Sequence, residues 1–297
     1  MKMNLLKQNV KAILCFLLAG CIFISCSTDD VEDPVVDVID PNTPISEEVK
    51  TFVDFENLED QQYDLEMAEN DFGDMVDKNA YDERNANIVD KSLRVTLPKE
   101  TVSRGVLSKF WVNSGPSYEV TYDVIFHDNF DFAKGGKLGF GFGFGDGIAG
   151  QFPVGTIQNG KGGTARMMWY DVGNGVLKFK PYLYYMDMGS DYGNNVKANA
   201  VYPTNGSLQP NTVYTIKMRV HSNTDNNADG SIMIKVNGQK ILEASNIKWA
   251  SQEGKHFVSQ LSFETFRGGG DPSWYSYTDG YVYYDNVTVT ENPQDPF

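Results

Sequence analysis

This chain is poor in cysteine and histidine, shows no helical apolar repeat after residue 100, and contains a single long apolar run. Its three cysteines, Cys15, Cys21 and Cys26, all lie near the N-terminus. The remainder therefore cannot form a disulfide, bind zinc through thiolates or use a cysteine nucleophile. His127, His221 and His256 are the only histidines and are far apart in sequence, so a catalytic zinc site is disfavoured. His127 and His221 read as structural residues, in a strand and at a strand end. There is no Glu-x-Asp-x-Glu run of the kind that would set a retaining glycosidase's two carboxylates about 5 Å apart on one strand. Basic residues form no cluster and the formal charge is −15, which speaks against a nucleic-acid site.

What is present begins with an export signal. Lys2, Lys7 and Lys11 precede an apolar run from Ala12 to Ile24, long enough for a signal peptide and short for a membrane span. Residues 1–25 are accordingly expected to be a lipoprotein signal peptide. Leu18, Ala19, Gly20 and Cys21 are the better literal match to the lipobox of bacterial lipoproteins, but cleavage there would leave Ile22, Phe23 and Ile24 on the mature end. Cys26, followed by Ser27, Thr28, Asp29 and Asp30, is the preferred lipidation site over Cys21. Its acidic flank resembles the export signals of surface lipoproteins in Gram-negative bacteria. The expected location is the bacterial outer membrane, exposed at the cell surface on an N-terminal lipid anchor. Residues 26–50, with Pro34, Pro41 and Pro44 among acids, read as an acidic disordered tether. Such a tether would reach about 25–30 Å on average.

The negative total hides an uneven distribution. Residues 27–60 hold 12 Asp or Glu against Lys50 alone, whereas from residue 101 onward 18 acidic residues face 16 basic ones. A basic groove on the second region would not be overwhelmed, so the total does not exclude a polyanionic partner.

Tyr118, Val120, Tyr122, Val124 and Phe126 alternate with Glu119, Thr121, Asp123 and Ile125, the period-two pattern of a half-buried strand. The period returns in Tyr214, Ile216, Met218 and Val220, and in Ile232, Ile234 and Val236, followed by Asn237 and Gly238, which suit a type I′ hairpin. Weak strand signals at Phe52, Phe55, Leu93, Val95 and Leu97 join the same domain, although the polar stretch between them has no assigned element. Residues 51–297 therefore read as one all-β sandwich domain.

Three segments stand apart from ordinary strand filler. Lys134-Gly135-Gly136-Lys137-Leu138 leads into alternating Gly and Phe from Gly139 to Gly145, which leaves one strand face bare while phenylalanines fill the other. Thr164 to Trp169 and Tyr182 to Tyr185 flank a Gly173-Asn174-Gly175 turn. A hairpin centred on Asn174 pairs positions whose numbers sum to 348, so Arg166 faces Tyr182 and Thr164 faces Tyr184. Facing side chains lie about 4.5–5.5 Å apart at Cβ, which puts a hydroxyl, a guanidinium and two phenols on one strip.

The Lys134–Leu138 segment, the Thr164–Trp169 segment, the tyrosine pair and the run from Phe263 to Trp274 resemble, in order and spacing, the alginate and glucuronan lyases of polysaccharide lyase families 14 and 20. The resemblance implies a β-jelly roll with a concave face for uronate chains and catalysis by lysine, arginine and tyrosine without a required cofactor. Carried over by position, it makes Lys137, Arg166, Tyr182 and Tyr184 the catalytic set. Lys134, Thr164, Trp169, Glu264, Arg267 and Trp274 become the substrate-binding candidates. Thr164 stands where serine is usual, Gly139 where proline is common, and Glu264 and Arg267 where Ser and Phe are usual; the Gly139–Gly163 segment is longer.

The implied reaction is β-elimination at a uronate. Removing the proton at C5 requires the adjacent carboxylate to be neutralised, a task suited to Arg166 and Lys137. A tyrosine could then act as base or acid, provided nearby cations lower its pKa from about 10. The rival reading is a non-catalytic surface glycan-binding lipoprotein whose Trp169 or Trp274 stacks on sugar rings. Asp225, Asn226, Asn227 and Asp229 read as a polar turn or a structural calcium loop. A monomer is expected.

Overall fold

The computed structural model describes residues 48–150 and 160–295. The expected signal peptide, both candidate lipid acceptors and nearly all of the expected tether lie outside the described residues. No helix among the described residues is long and apolar enough to cross a membrane.

Two antiparallel sheets account for the domain. The nine-stranded sheet contains β1 (Val49–Val53), β2 (Gln61–Gln62), β3 (Ala86–Val89), β4 (Ser92–Leu97), β6 (Ser117–Phe126), β10 (Tyr214–His221), β11 (Gly230–Val236), β12 (Gln239–Ile247) and β14 (Gly280–Glu291). The five-stranded sheet runs in the order β5 (Gly105–Gly115), β13 (Val258–Arg267), β7 (Gly135–Gly145), β8 (Gly162–Asp171) and β9 (Leu177–Tyr184). This is the expected jelly-roll sandwich. Strand β1 begins two residues inside the segment read as tether, and Lys50 pairs with Thr290.

The unassigned polar stretch forms helix α1 (Leu65–Phe72). Asp64 caps it by accepting a hydrogen bond from the Met67 amide at 2.9 Å, satisfying one of the free N–H groups of the first turn. Phe72 packs into the core against Phe110 and Phe140, with ring centroids 5.4 and 5.2 Å away.

Period two decides which residues join the sheets and which face outward. The phenylalanines of β7 point inward: Phe140 stacks on Phe263 at 4.4 Å and meets Tyr122 of the opposite sheet at 5.3 Å. Phe144 stacks on Trp249 at 4.2 Å. Each such ring removes apolar area from water worth about 1.5–3 kcal/mol. The glycines between them are required by space, since a Cβ at Gly141 would stand 2.2 Å from the Ala165 carbonyl oxygen. Gly139 has φ +65° and would place a Cβ 2.6 Å from the Tyr122 ring, which explains why proline has no place there.

Candidate active site

The outer face of the five-stranded sheet carries the site. The β8–β9 register is the one expected, with Thr164 opposite Tyr184 and Arg166 opposite Tyr182. Lys137 of β7 lies opposite Met168 of β8 on one side and Phe266 of β13 on the other. Lys137, Arg166, Tyr182 and Tyr184 therefore come together on one face. They line a groove of about 740 Å³ that crosses the strands from Leu107 to Tyr192, with Ala149 and Gly150 on one side and Gly269 to Trp274 on the other.

The electrostatics differ from the expected pair of free cations. Arg166, 6% exposed, donates from Nη1 to Glu264, so its charge is already balanced inside the groove. Its Nε is buried without a hydrogen-bond partner among the described residues. The guanidinium also lies 5.6 and 5.5 Å from the ring centroids of Tyr182 and Tyr184. Lys137 forms no ion pair within 4.0 Å among the described residues; its Nζ sits 4.3 Å from the Tyr182 ring centroid. Burial, followed by the nearby Arg166 charge, lowers its pKa to about 8.

Tyr182 does not meet the condition set for a phenolic base. Burial and the hydrogen bond with Tyr184 push the Tyr182 pKa up, outweighing the opposing effect of Arg166. The two hydroxyls are 3.3 Å apart, and the Tyr184 hydroxyl donates to the Gly150 carbonyl at 2.6 Å.

Among the substrate-binding candidates, Trp274 and Glu264 line the groove. Lys134 stands at its rim, with Nζ 5.2 Å from the Trp274 ring centroid. Two candidates are corrected. Trp169 is fully buried, donates from Nε1 to the Phe132 carbonyl at 2.9 Å and packs on Phe126 and Phe130. It alternates with Arg166 and Met168 along β8, so it must face the core. Arg267 is 1% exposed, donates to the Asp131 carbonyl at 2.6 Å and lies over Phe130. It shares its parity with core-facing Phe263 and Thr265, which explains why phenylalanine is usual at this position. Thr164 faces the groove side but is covered: its hydroxyl donates to the Ile148 carbonyl at 3.3 Å, holding the segment that supplies Ala149 and Gly150.

Met168, Tyr170, Lys180 and Phe266 were missed and all line the groove. Strand parity was the available signal, because Lys180 lies two residues before Tyr182. None of the three histidines lines the groove. Another hollow, lined by Asp64, Glu66, Glu69, Asp74 and Glu83, carries only negative charge and is unsuited to a polyanion.

No group of three or more His, Cys, Asp or Glu side chains is placed to hold a metal ion among the described residues. In the Asp225–Asp229 turn, the Asp229 carboxylate accepts from the Thr224 amide at 2.7 Å and from the Thr224 hydroxyl.

A jelly-roll sandwich with lysine, arginine and paired tyrosines in a groove across one sheet defines a polysaccharide lyase. Residues 87–287 match the family described as polysaccharide lyase 14, and the chain belongs to that family. It is 36% identical to alginate lyase Aly36B, with 81% of this chain and 96% of that one covered and a TM-score of 0.75. A lysine-and-tyrosine-to-alanine variant of that enzyme, at the same coverage and identity, has been solved in complex with alginate tetrasaccharide. The marine alginate lyase from Aplysia kurodai is 21% identical, covers 77% of this chain and 97% of its own, and has a TM-score of 0.59, a likeness of fold. No curated protein sequence matches the chain.

Proposed function

We propose that this protein depolymerises alginate by β-elimination, with Lys137 as the base. The observation that carries the reading is the convergence of Lys137, Arg166, Tyr182 and Tyr184 in one groove of a chain 36% identical to an alginate lyase. A base works best with a pKa near the operating pH, and Lys137 at about 8 meets that condition. Neutral Lys137 removes the C5 proton. The C5–H electrons form the C4–C5 double bond, the C4–O4 bond breaks, and O4 leaves with a proton from Tyr182. A raised pKa keeps Tyr182 protonated until O4 needs the proton, which suits an acid and not a base. The ammonium of Lys137, beside the Tyr182 ring, then restores the phenol.

Negative charge grows on the substrate carboxylate as C5 loses its proton. The Arg166 guanidinium, which lies 5.6 and 5.5 Å from the Tyr182 and Tyr184 ring centroids, sets its positive charge beside the reacting centre to stabilise it. Glu264 fixes the guanidinium in place, and the tyrosines and Phe266 give the groove an aromatic lining beside the reacting centre. Every step is assigned to a side chain of the groove.

The same proposal places the catalytic domain at the bacterial cell surface, exported by residues 1–25 and held by a lipid on Cys26 through the acidic segment that follows. The sequence pattern of basic leader, apolar run and acid-flanked cysteine supports it. The test of function is incubation with alginate, polymannuronate, polyguluronate and glucuronan, read by the ultraviolet absorbance of a 4,5-unsaturated uronate. Tight binding of alginate with no unsaturated product would establish the glycan-binding reading instead.

A further inference from the structure

The groove contains a third basic residue, Lys180, that the proposed reaction does not use. Lys180 lies on β9 opposite Met168, which lies opposite Lys137 on β7, so the two lysines occupy one row across three adjacent strands. Both line the groove, as do Met168 between them and Phe266 beyond Lys137. Lys180 forms no ion pair with a described carboxylate within 4.0 Å; its Nζ lies 4.7 Å from the Tyr170 ring centroid. Tyr170 in turn meets Trp274 of the groove wall at 5.9 Å.

We propose that Lys180 holds the carboxylate of a second uronate, two sugars along the chain from the one presented to Lys137. The inference rests on the uronan reading above. Adjacent strands are about 4.8 Å apart, so the Cα atoms of Lys137 and Lys180 are separated by about 10 Å. A pyranose spans about 5 Å between its linking oxygens, given bonds of ~1.5 Å. In a diequatorially linked 1,4-uronan each ring is turned over relative to the last. Carboxylates on one side therefore recur every second sugar, at the spacing of the two lysines. Met168 supplies an apolar floor for the intervening ring, and Tyr170 with Trp274 forms an aromatic wall beside the second one. Burial lowers the Lys180 pKa, the mark of a cation held in partial desolvation that gains from an incoming carboxylate. The geometry favours diequatorial mannuronate blocks over diaxial guluronate.

The test compares wild type, Lys180→Gln and Lys180→Arg on polymannuronate, each confirmed as folded by circular dichroism. Loss of one charge-assisted contact to a partly exposed group should raise KM roughly tenfold, about 1.4 kcal/mol. The value of kcat should stay within about twofold, because the contact is made equally in ground and transition states. Lys180→Arg should keep a KM near wild type. An unchanged KM in Lys180→Gln, or a fall in kcat at constant KM, overturns the inference while leaving the lyase reading intact. If Lys180→Gln does not fold, Lys180→Met keeps the aliphatic stem and serves the same comparison. If wild type yields no unsaturated product from alginate, polymannuronate, polyguluronate or glucuronan, the lyase reading fails. Calorimetry with a mannuronate hexasaccharide then decides the subsite: a roughly tenfold weaker Kd in Lys180→Gln supports it and an unchanged Kd refutes it.

Discussion

Replacing Lys137 with arginine separates a base from a charge. Arginine keeps the positive charge and much of the length but stays protonated at every working pH, so it cannot remove a proton. The lysine has the environment of a base: no ion pair among the described residues, a tyrosine ring 4.3 Å from Nζ, and a pKa lowered by burial and by Arg166 to about 8. With that pKa about a tenth of the free enzyme carries the neutral amine at pH 7, about half at pH 8 and about nine-tenths at pH 9. The wild-type profile of kcat/KM should therefore rise with pH and level off with an apparent pKa near 8. Lys137→Arg should lose about 10² to 10⁴ in kcat while still binding alginate, the usual cost of a lost proton-transfer group. The assay is initial-rate ultraviolet absorbance between pH 6 and about pH 9.5, where Arg166 and the protonated Tyr182 do not change state. Substantial activity in Lys137→Arg, or a wild-type rate that falls as pH rises through 8, would show that Lys137 works as a cation and refute its assignment as base.

The same burial predicts that Lys137→Met raises the melting temperature while abolishing turnover. A lowering from 10.5 to about 8 is a penalty of up to about 3 kcal/mol on the folded ammonium form. The unfolded chain holds that proton more tightly, so wild-type stability should increase as pH rises from 8 towards 10.5, an increment missing in Lys137→Met. Glu264→Gln should cost about 3–5 kcal/mol in chemical denaturation, because it leaves the Arg166 charge buried without its partner. Trp169→Ala should cost about 3–5 kcal/mol of stability, whereas Trp274→Ala should raise KM and leave the melting temperature nearly unchanged. For the proposed anchor, fatty-acid labelling should tag the wild-type chain and be lost in Cys26→Ala; retained label would move the anchor to Cys21.

Much of the site was legible because strand geometry is strictly periodic. The Gly173-Asn174-Gly175 turn set the β8–β9 register, and that register placed Arg166 against Tyr182 and Thr164 against Tyr184. The same rule, applied along the whole strand, separates Trp169 from Arg166 and Arg267 from Glu264. Both corrected residues came from segments that carry the family resemblance, and their odd numbers put them on the core face. By the same count Lys180 falls on the groove face with Tyr182.

Other features were beyond any local pattern. Alternation and chain sterics over a few residues were enough to indicate the sandwich, the bare glycine face of β7 and the turn, whereas the four candidate groups were singled out by the family resemblance. The pairing of Glu264 with Arg166, the burial of Lys137 with no carboxylate within 4.0 Å among the described residues, and the place of Lys180 in the same row were decided by the tertiary structure. Glu264 and Arg166 are 98 residues apart and meet on strands separated by β7. Desolvation is set by everything packed around a group, so the pKa of Lys137 fell and that of Tyr182 rose through neighbours that no stretch of sequence brings together.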